Sequence, residues 1–301
     1  MRASGYPRKA MITMIIGAMT NVVLDYIFIY PLGMGISGAA IATVVSMIVC
    51  SVYVLSHFFR KDSIVRFHRS AFRLSLPVIG GITAIGVAPF AMHLTGSLVN
   101  IIMNRSFVSY GETADATDLA IGAFGIINGY AMLFFMIIIG VAQGMQPIVG
   151  FNYGAKNPGR VKSAYRYSCG VNLLVSFLGF ALAMLMPRTI VSLFTNSEQM
   201  IELSASALRT ALIGLSLVGF QVTTTQFFQS IGFSHKAIFL SLTRQIIFLI
   251  PCLLIIPRFM GLDGVWWSLP ISDLASVVLS FVLITIQMKH FNQSKKTTFA
   301  E

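Results

Sequence analysis

Apolar residues in this chain run on in long blocks instead of alternating with polar ones. Eight blocks, near residues 11–31, 37–59, 72–104, 119–148, 165–186, 200–228, 237–257 and 264–288, each reach or exceed the roughly 20 residues that a bilayer-spanning helix needs. Polar and basic residues gather between them. The pattern predicts an all-α polytopic membrane protein with eight transmembrane helices. Composition agrees: 56% of the residues are hydrophobic and 10% are charged, outside the range of water-soluble domains. Cys50, Cys169 and Cys252 fall within the blocks at no metal-ligand spacing, so they read as small core hydrophobes.

Charge then orients the helices. One set of connections holds Arg2, Arg8 and Lys9; Arg60, Lys61, Arg66, Arg69 and Arg73; Lys156, Arg160, Lys162 and Arg166; Lys236; and Lys289, Lys295 and Lys296. The alternate set holds Arg105, Arg188 and Arg258 beside Glu112, Asp115, Asp118, Glu198 and Asp263. The positive-inside rule makes the first set cytoplasmic and puts both chain ends inside, as an even helix number requires. The net charge of +11 is spread over successive membrane ends and forms no single face, which speaks against nucleic-acid binding. Trp266 and Trp267, at the outer end of the last block, fit an interfacial aromatic belt.

The chain also repeats itself. RASGYPRKAMI at the start lies over QSIGFSHKAIF at 229–239, and PLGMGISGAAIATVVS at 31–46 lies over PRFMGLDGVWWSLPIS at 257–272. The second match aligns Pro31 with Pro257, Gly35 with Gly261, Gly38 with Gly264 and Ser46 with Ser272. Both copies begin after a basic loop, so they run in the same direction as a parallel repeat. Helices three to six have no counterpart before the first pair. The repeat therefore predicts an N-terminally truncated chain carrying helices five to twelve of a twelve-helix, two-lobe protein, with the missing lobe starting about 155 residues before Met1. The expected organisation is the last two helices of the N-terminal lobe at 1–60, a cytoplasmic linker at 61–71, a complete six-helix C-terminal lobe at 72–290 and a cytoplasmic tail at 291–301.

Four stretches resemble the multidrug and toxic compound extrusion (MATE) family, in particular its bacterial MepA-like branch: RASGYPRKAMI running into NVVLDYIFIY and GMGISGAAIAT; VAQGMQPIVGFNYGAKNPGRV at 141–161; FFQSIGFSHKAIFLSLTRQ at 227–245; and GLDGVWWSLPISD at 261–273. They sample nearly the whole chain in the family's order. The resemblance implies a secondary active transporter in the bacterial inner membrane, working as a monomer with no organic cofactor. Such a protein exports small amphipathic or cationic drugs in exchange for protons or sodium, by alternating access between its lobes.

A carboxylate at mid-membrane costs roughly 2.5–3.5 kcal/mol on insertion scales and calls for a partner, a cation or a water-filled cavity. Asp25 is such a residue, with Asn21 one turn away on the same helix face. The resemblance implies that Asn21, Asp25 and Thr43 bind the coupling cation. Hard oxygen ligands suit sodium, and a carboxylate sheltered from water can take up a proton. Alternatively, Asp25 bonds a neighbouring helix and has no transport role. The acidic residue that the family places on its first helix is not in this chain, so the site is incomplete as it stands. Nor does this chain have mid-membrane acids in 72–104 or 200–228, where NorM-like members carry coupling carboxylates.

Asp273, the other deep acid, lies at a depth like that of Arg209, and an intramembrane ion pair between them is expected, structural in role. Arg244 is expected to snorkel or to bond to backbone. Gly144, Pro147 and Gly150 are expected to close the fourth helix, and Pro77, Pro89 and Pro251 to kink theirs. Asn100, Asn128, Gln143, Gln146, Gln221 and Gln226 are candidate cavity-lining residues, among Met and Phe side chains that would make an adaptable wall. Two other functions are weighed. A flippase for a lipid-linked precursor would need several deep cations, where this chain has Arg209 and Arg244. An intramembrane enzyme would need a nucleophile with a base, or a metal cluster, and the sequence has neither HExxH nor GxSxG. An inactive truncated product is a further alternative.

Overall fold

The computed structural model describes residues 6–59, 75–111 and 113–297. The linker expected at 61–71 lies outside them, as do Arg2, Arg60, Lys61, Arg66, Arg69, Arg73 and Glu112. The described chain is helical, and two compact units divide it near residue 82.

The first unit is built on α1 (Pro7–Ile29) and α2 (Gly35–Phe59), which pack against each other. Gly33 and Gly35 take positive φ, 61° and 55°, a region that glycine enters without Cβ strain. Small residues let the two helices approach closely: Gly17 faces Cys50, and a Cβ on Gly38 would lie 3.1 Å from the Phe28 carbonyl oxygen. Where the start of α1 meets the end of α2, Lys9 Nζ lies 3.3 Å from His57 Nδ1.

The second unit begins within α3 (Leu76–Tyr110). It continues through α4 (Ala114–Gly154), α5 (Pro158–Leu185), the short α6 (Pro187–Ser192), α7 (Glu198–Ala211), α8 (Leu215–Ser230), α9 (Ser234–Leu242), a π-helical stretch (Thr243–Leu249), α10 (Ile250–Ile255) and α11 (Pro257–Thr297). Six helices among the described residues are long and apolar enough to cross a membrane, and α7 with α8, bent by 50°, makes a seventh span if taken as one. The third expected block is occupied by the 35-residue α3.

Several sequence expectations change here. Gly144, Pro147 and Gly150 do not end the fourth helix, which runs 41 residues through Pro147 to Gly154. Gly150 instead brings α4 against α8, where an added Cβ would sit 3.3 Å from the Ser230 carbonyl oxygen. The 200–228 block is not one rod. It breaks between Ala211 and Leu215. At Pro251 the chain adopts a π-helical stretch just before the ring, in which Ile250 N–H reaches back five residues to the Gln245 carbonyl; the wider turn accommodates a residue with no N–H and a ring that would crowd a regular helix. The last helix continues to Thr297, past the end expected at 290, and is broken at Gly261 (φ 58°, ψ −136°). Trp266 belongs to no interfacial belt: it is buried, with its ring centroid 5.0 Å from that of Phe107.

Hydrogen bonds tie α4, α5 and α8 together. Tyr130 donates from its hydroxyl to the Gly179 carbonyl at 2.7 Å. Asn172 Nδ2 donates to the Ile138 carbonyl at 3.1 Å and to Thr223 Oγ1 at 2.8 Å. Gly219 N–H donates to Ser176 Oγ at 2.8 Å, and any side chain at Gly219 would strike the Asn172 carbonyl. Lipid offers helices no hydrophobic reason to associate, so close backbone approach and interhelical hydrogen bonds carry the packing. Met103, Phe107, Leu208, Val218, Leu253 and Trp266 fill one core cluster, and Met145, Tyr165, Phe227, Phe228 and Leu240 belong to a second.

Candidate functional site

Each unit carries its own candidate site. In the first, α1 supplies Asn21 and Asp25 from one face and α2 supplies Thr43. Thr43 donates its hydroxyl to the Ala39 carbonyl at 2.9 Å, which leaves its oxygen to accept from Asn21 Nδ2 at 3.4 Å. Asp25, one turn on, is half-buried, and its Oδ1 is sheltered with no hydrogen-bond partner among the described residues. A buried carboxylate oxygen without a donor is costly. The arrangement brings an amide, a hydroxyl and an unsatisfied carboxylate oxygen into one neighbourhood of the helix pair, a set of hard oxygens of the kind that small cations prefer.

The second unit holds a half-open cavity of about 570 Å³ lined from α3 by His93, Ser97 and Asn100, from α4 by Phe135 and Ile139, from α8 by Gln221, Val222, Thr225, Gln226 and Gln229, and from the following helical run by Ser241, Arg244 and Gln245. A second cavity of about 240 Å³ shares Asn100, Phe135, Arg244 and Gln245 and adds Asn128 and Asp273. The stripe on α8 follows helical spacing: Gln221, Thr225 and Gln229 are four apart, and Val222 and Gln226 lie beside them. Of the sequence candidates, Asn100, Asn128, Gln221 and Gln226 line these cavities, whereas Gln143 and Gln146 line neither.

The expected Arg209–Asp273 pair is not what forms. Asp273 Oδ1 accepts from Arg244 Nε at 2.8 Å, and Arg209 ends α7 exposed. Counting depth along a straight helix matched Arg209 to Asp273, but the 50° bend after Ala211 takes Arg209 out of that register. Asp273 packs instead on Gly214 at the break, where an added Cβ would stand 2.6 Å from its Oδ2. The π-helical stretch then presents Arg244, which among the described residues bonds to Asp273 and not to backbone, and its guanidinium carbon lies 5.7 Å from the Phe135 ring centroid. Gln221, Gln226 and Gln245 each keep a buried side-chain oxygen with no partner among the described residues. Arg244, Gln245, Gln229, Thr225 and His93 were not marked as cavity residues from sequence; the four-residue spacing on α8 was the available signal for Thr225 and Gln229, and nothing in the sequence signals the π-helical turn that presents Arg244.

A family model described as MatE matches residues 90–255, more than half of the chain and most of the walls of these cavities. This chain belongs to the MatE family. Among its relatives, a multidrug export protein MepA of Staphylococcus aureus is 25% identical over 289 residues, covering 94% of this chain and 62% of the relative. A solved outward-facing structure of a multidrug resistance MATE family transporter of the MOP superfamily superposes with a TM-score of 0.83 at 27% identity, covering 94% of this chain and 63% of that one. A MOP superfamily transporter from Pyrococcus furiosus, for which reversed polarity of the binding pocket is taken to suggest a different function, gives a TM-score of 0.83 at 29% identity over the same shares. The MatE chain thus spans just over three-fifths of the length of the relatives it matches.

Proposed function

We propose that this MatE chain is part of a secondary active efflux transporter that moves small amphipathic or cationic compounds out across the bacterial inner membrane by antiport, with protons or sodium as the coupling ion. The observation that carries this reading is the 570 Å³ cavity, built largely from the family-matched helices and walled by amides, hydroxyls and a phenyl ring. A concave site with a mainly apolar frame and a few convergent polar groups suits small-molecule binding. In this reading residues 1–60 close one lobe, residues 72–290 form the other, and the basic connections face the cytoplasm.

Asn21, Asp25 and Thr43 are the proposed cation-coupling residues. Asp25 Oδ1 supports this, because a proton or a sodium ion would satisfy an oxygen that nothing else among the described residues does. Asn21 and Thr43 would orient that carboxylate and lend further oxygens. Binding and release of the ion would bias the lobe between its states, since a ligand shifts a conformational equilibrium only through its differential affinity for the two states. The Arg244–Asp273 pair is assigned a structural role in this scheme. The flippase alternative is not favoured: among the described residues Arg244 is the sole cation on the cavity wall, too little for a polyanionic headgroup.

The test is resistance and dye accumulation in bacteria stripped of their own exporters and carrying the gene product that contains this chain. Wild type should lower accumulation, and Asp25→Asn should abolish that while leaving the protein in the membrane. Equal export by wild type and Asp25→Asn would remove the coupling role, and absence of any export by wild type would remove the transport reading.

A further inference from the structure

The polarity of the cavity walls narrows the substrate. Arg244 and Asp273 are the formally charged side chains lining the two cavities among the described residues, and they neutralise each other through the 2.8 Å Nε–Oδ1 bond. Arg244 spends one edge of its fork on that bond and makes no other hydrogen bond among the described residues, so its terminal nitrogens remain as donors. Asp273 packs against Gly214 and lines the smaller cavity only. The guanidinium lies by Phe135, the aromatic ring that a lipophilic cation would otherwise use.

Resting on the transport reading above and narrowing its substrate class, we propose that this cavity takes an amphiphile whose polar end is an oxygen acceptor, a carboxylate or an amide carbonyl, held by the free edge of Arg244, in preference to a permanently charged cation. Among the described residues a quaternary ammonium of the same apolar body meets no unpaired carboxylate on the larger cavity's wall, and a cation already lies beside Phe135.

Equilibrium fluorescence titration of the purified gene product in detergent tests this with three dansyl-alkyl probes that differ only in the head group: carboxylate, primary amide and trimethylammonium. The carboxylate and amide probes should bind about tenfold or more tightly than the ammonium probe, the range that one or two hydrogen bonds to charged or buried groups supply. The double variant Arg244→Met/Asp273→Leu, which leaves no unpaired charge, should erase the ranking. Equal or tighter binding of the ammonium probe, a ranking that survives the double variant, or no binding of any probe overturns the proposal. Dye export in cells separates this from the broader reading: export with ammonium-preferring binding sinks only the substrate class, whereas no export sinks the transport reading and leaves the head-group ranking to stand on its own.

Discussion

Asp25 and Asp273 are both carboxylates in apolar helices, and their neighbours differ. Asp273 has a cation at 2.8 Å and a glycine pressed against it; Asp25 has an oxygen with no donor among the described residues. Removing one partner of a mostly buried pair leaves a charge without compensation, which costs about 3 kcal/mol, while replacing both with apolar residues is close to neutral. Asp273→Leu should therefore lower the thermal unfolding midpoint in detergent sharply, and adding Arg244→Met should restore most of it. If the double variant is no better than the single one, the pair is not what holds Asp273 in place. The existence of both acids is legible in the sequence, because a charge in a long apolar run is conspicuous. Which cation Asp273 meets is not, because the sequence offers both Arg209 and Arg244 and only the paths of their helices choose between them.

The elements are decided by interruptions. Gly35 and Gly261, aligned by the internal repeat, both take positive φ, and Ser46 and Ser272, aligned in the same way, both bond three residues back, to the carbonyls of Thr43 and Leu269 at 2.8 Å. Gly35 lies near the left-handed region, where a Cβ costs roughly 1–2 kcal/mol. Gly261, at ψ −136°, lies where essentially glycine alone goes. Gly261→Ala should thus destabilise more than Gly35→Ala in the same unfolding assay, by about 1 kcal/mol or more. Gly219→Ala should cost a further 1–3 kcal/mol or so by overpacking, because the group it meets is the Asn172 backbone, which cannot swing aside. The blocks themselves were readable, since a bilayer sets their length; the 50° bend after Ala211 and the π-helical stretch at Thr243–Leu249 were not, because both leave the hydrophobic pattern unbroken.

For the whole molecule, the alternation of basic connections predicts sidedness. Lys156, in the turn after α4 with φ 53°, and Arg188, which faces Glu198 at 3.5 Å on the connection beyond α5, should lie on opposite sides of the membrane. In a cysteine-free background, Lys156→Cys should react with an impermeant maleimide only in inside-out vesicles and Arg188→Cys only in intact cells whose outer barrier is opened. Reaction of both from one side would overturn the orientation that the positive-inside rule assigns.

What the sequence by itself determined is the apolar medium, the class of element and the family, because each follows from one-dimensional quantities: how long a run stays apolar, where polar residues interrupt it, and which short stretches recur in order. What only the tertiary structure decided is who meets whom. The cavity walls gather residues from His93 to Gln245, and Asp273 exchanges Arg209 for Arg244, since a helix bend or one widened turn redirects every side chain beyond it. Those rotations are set by packing against neighbouring helices, and a pattern of polar and apolar letters holds no record of them.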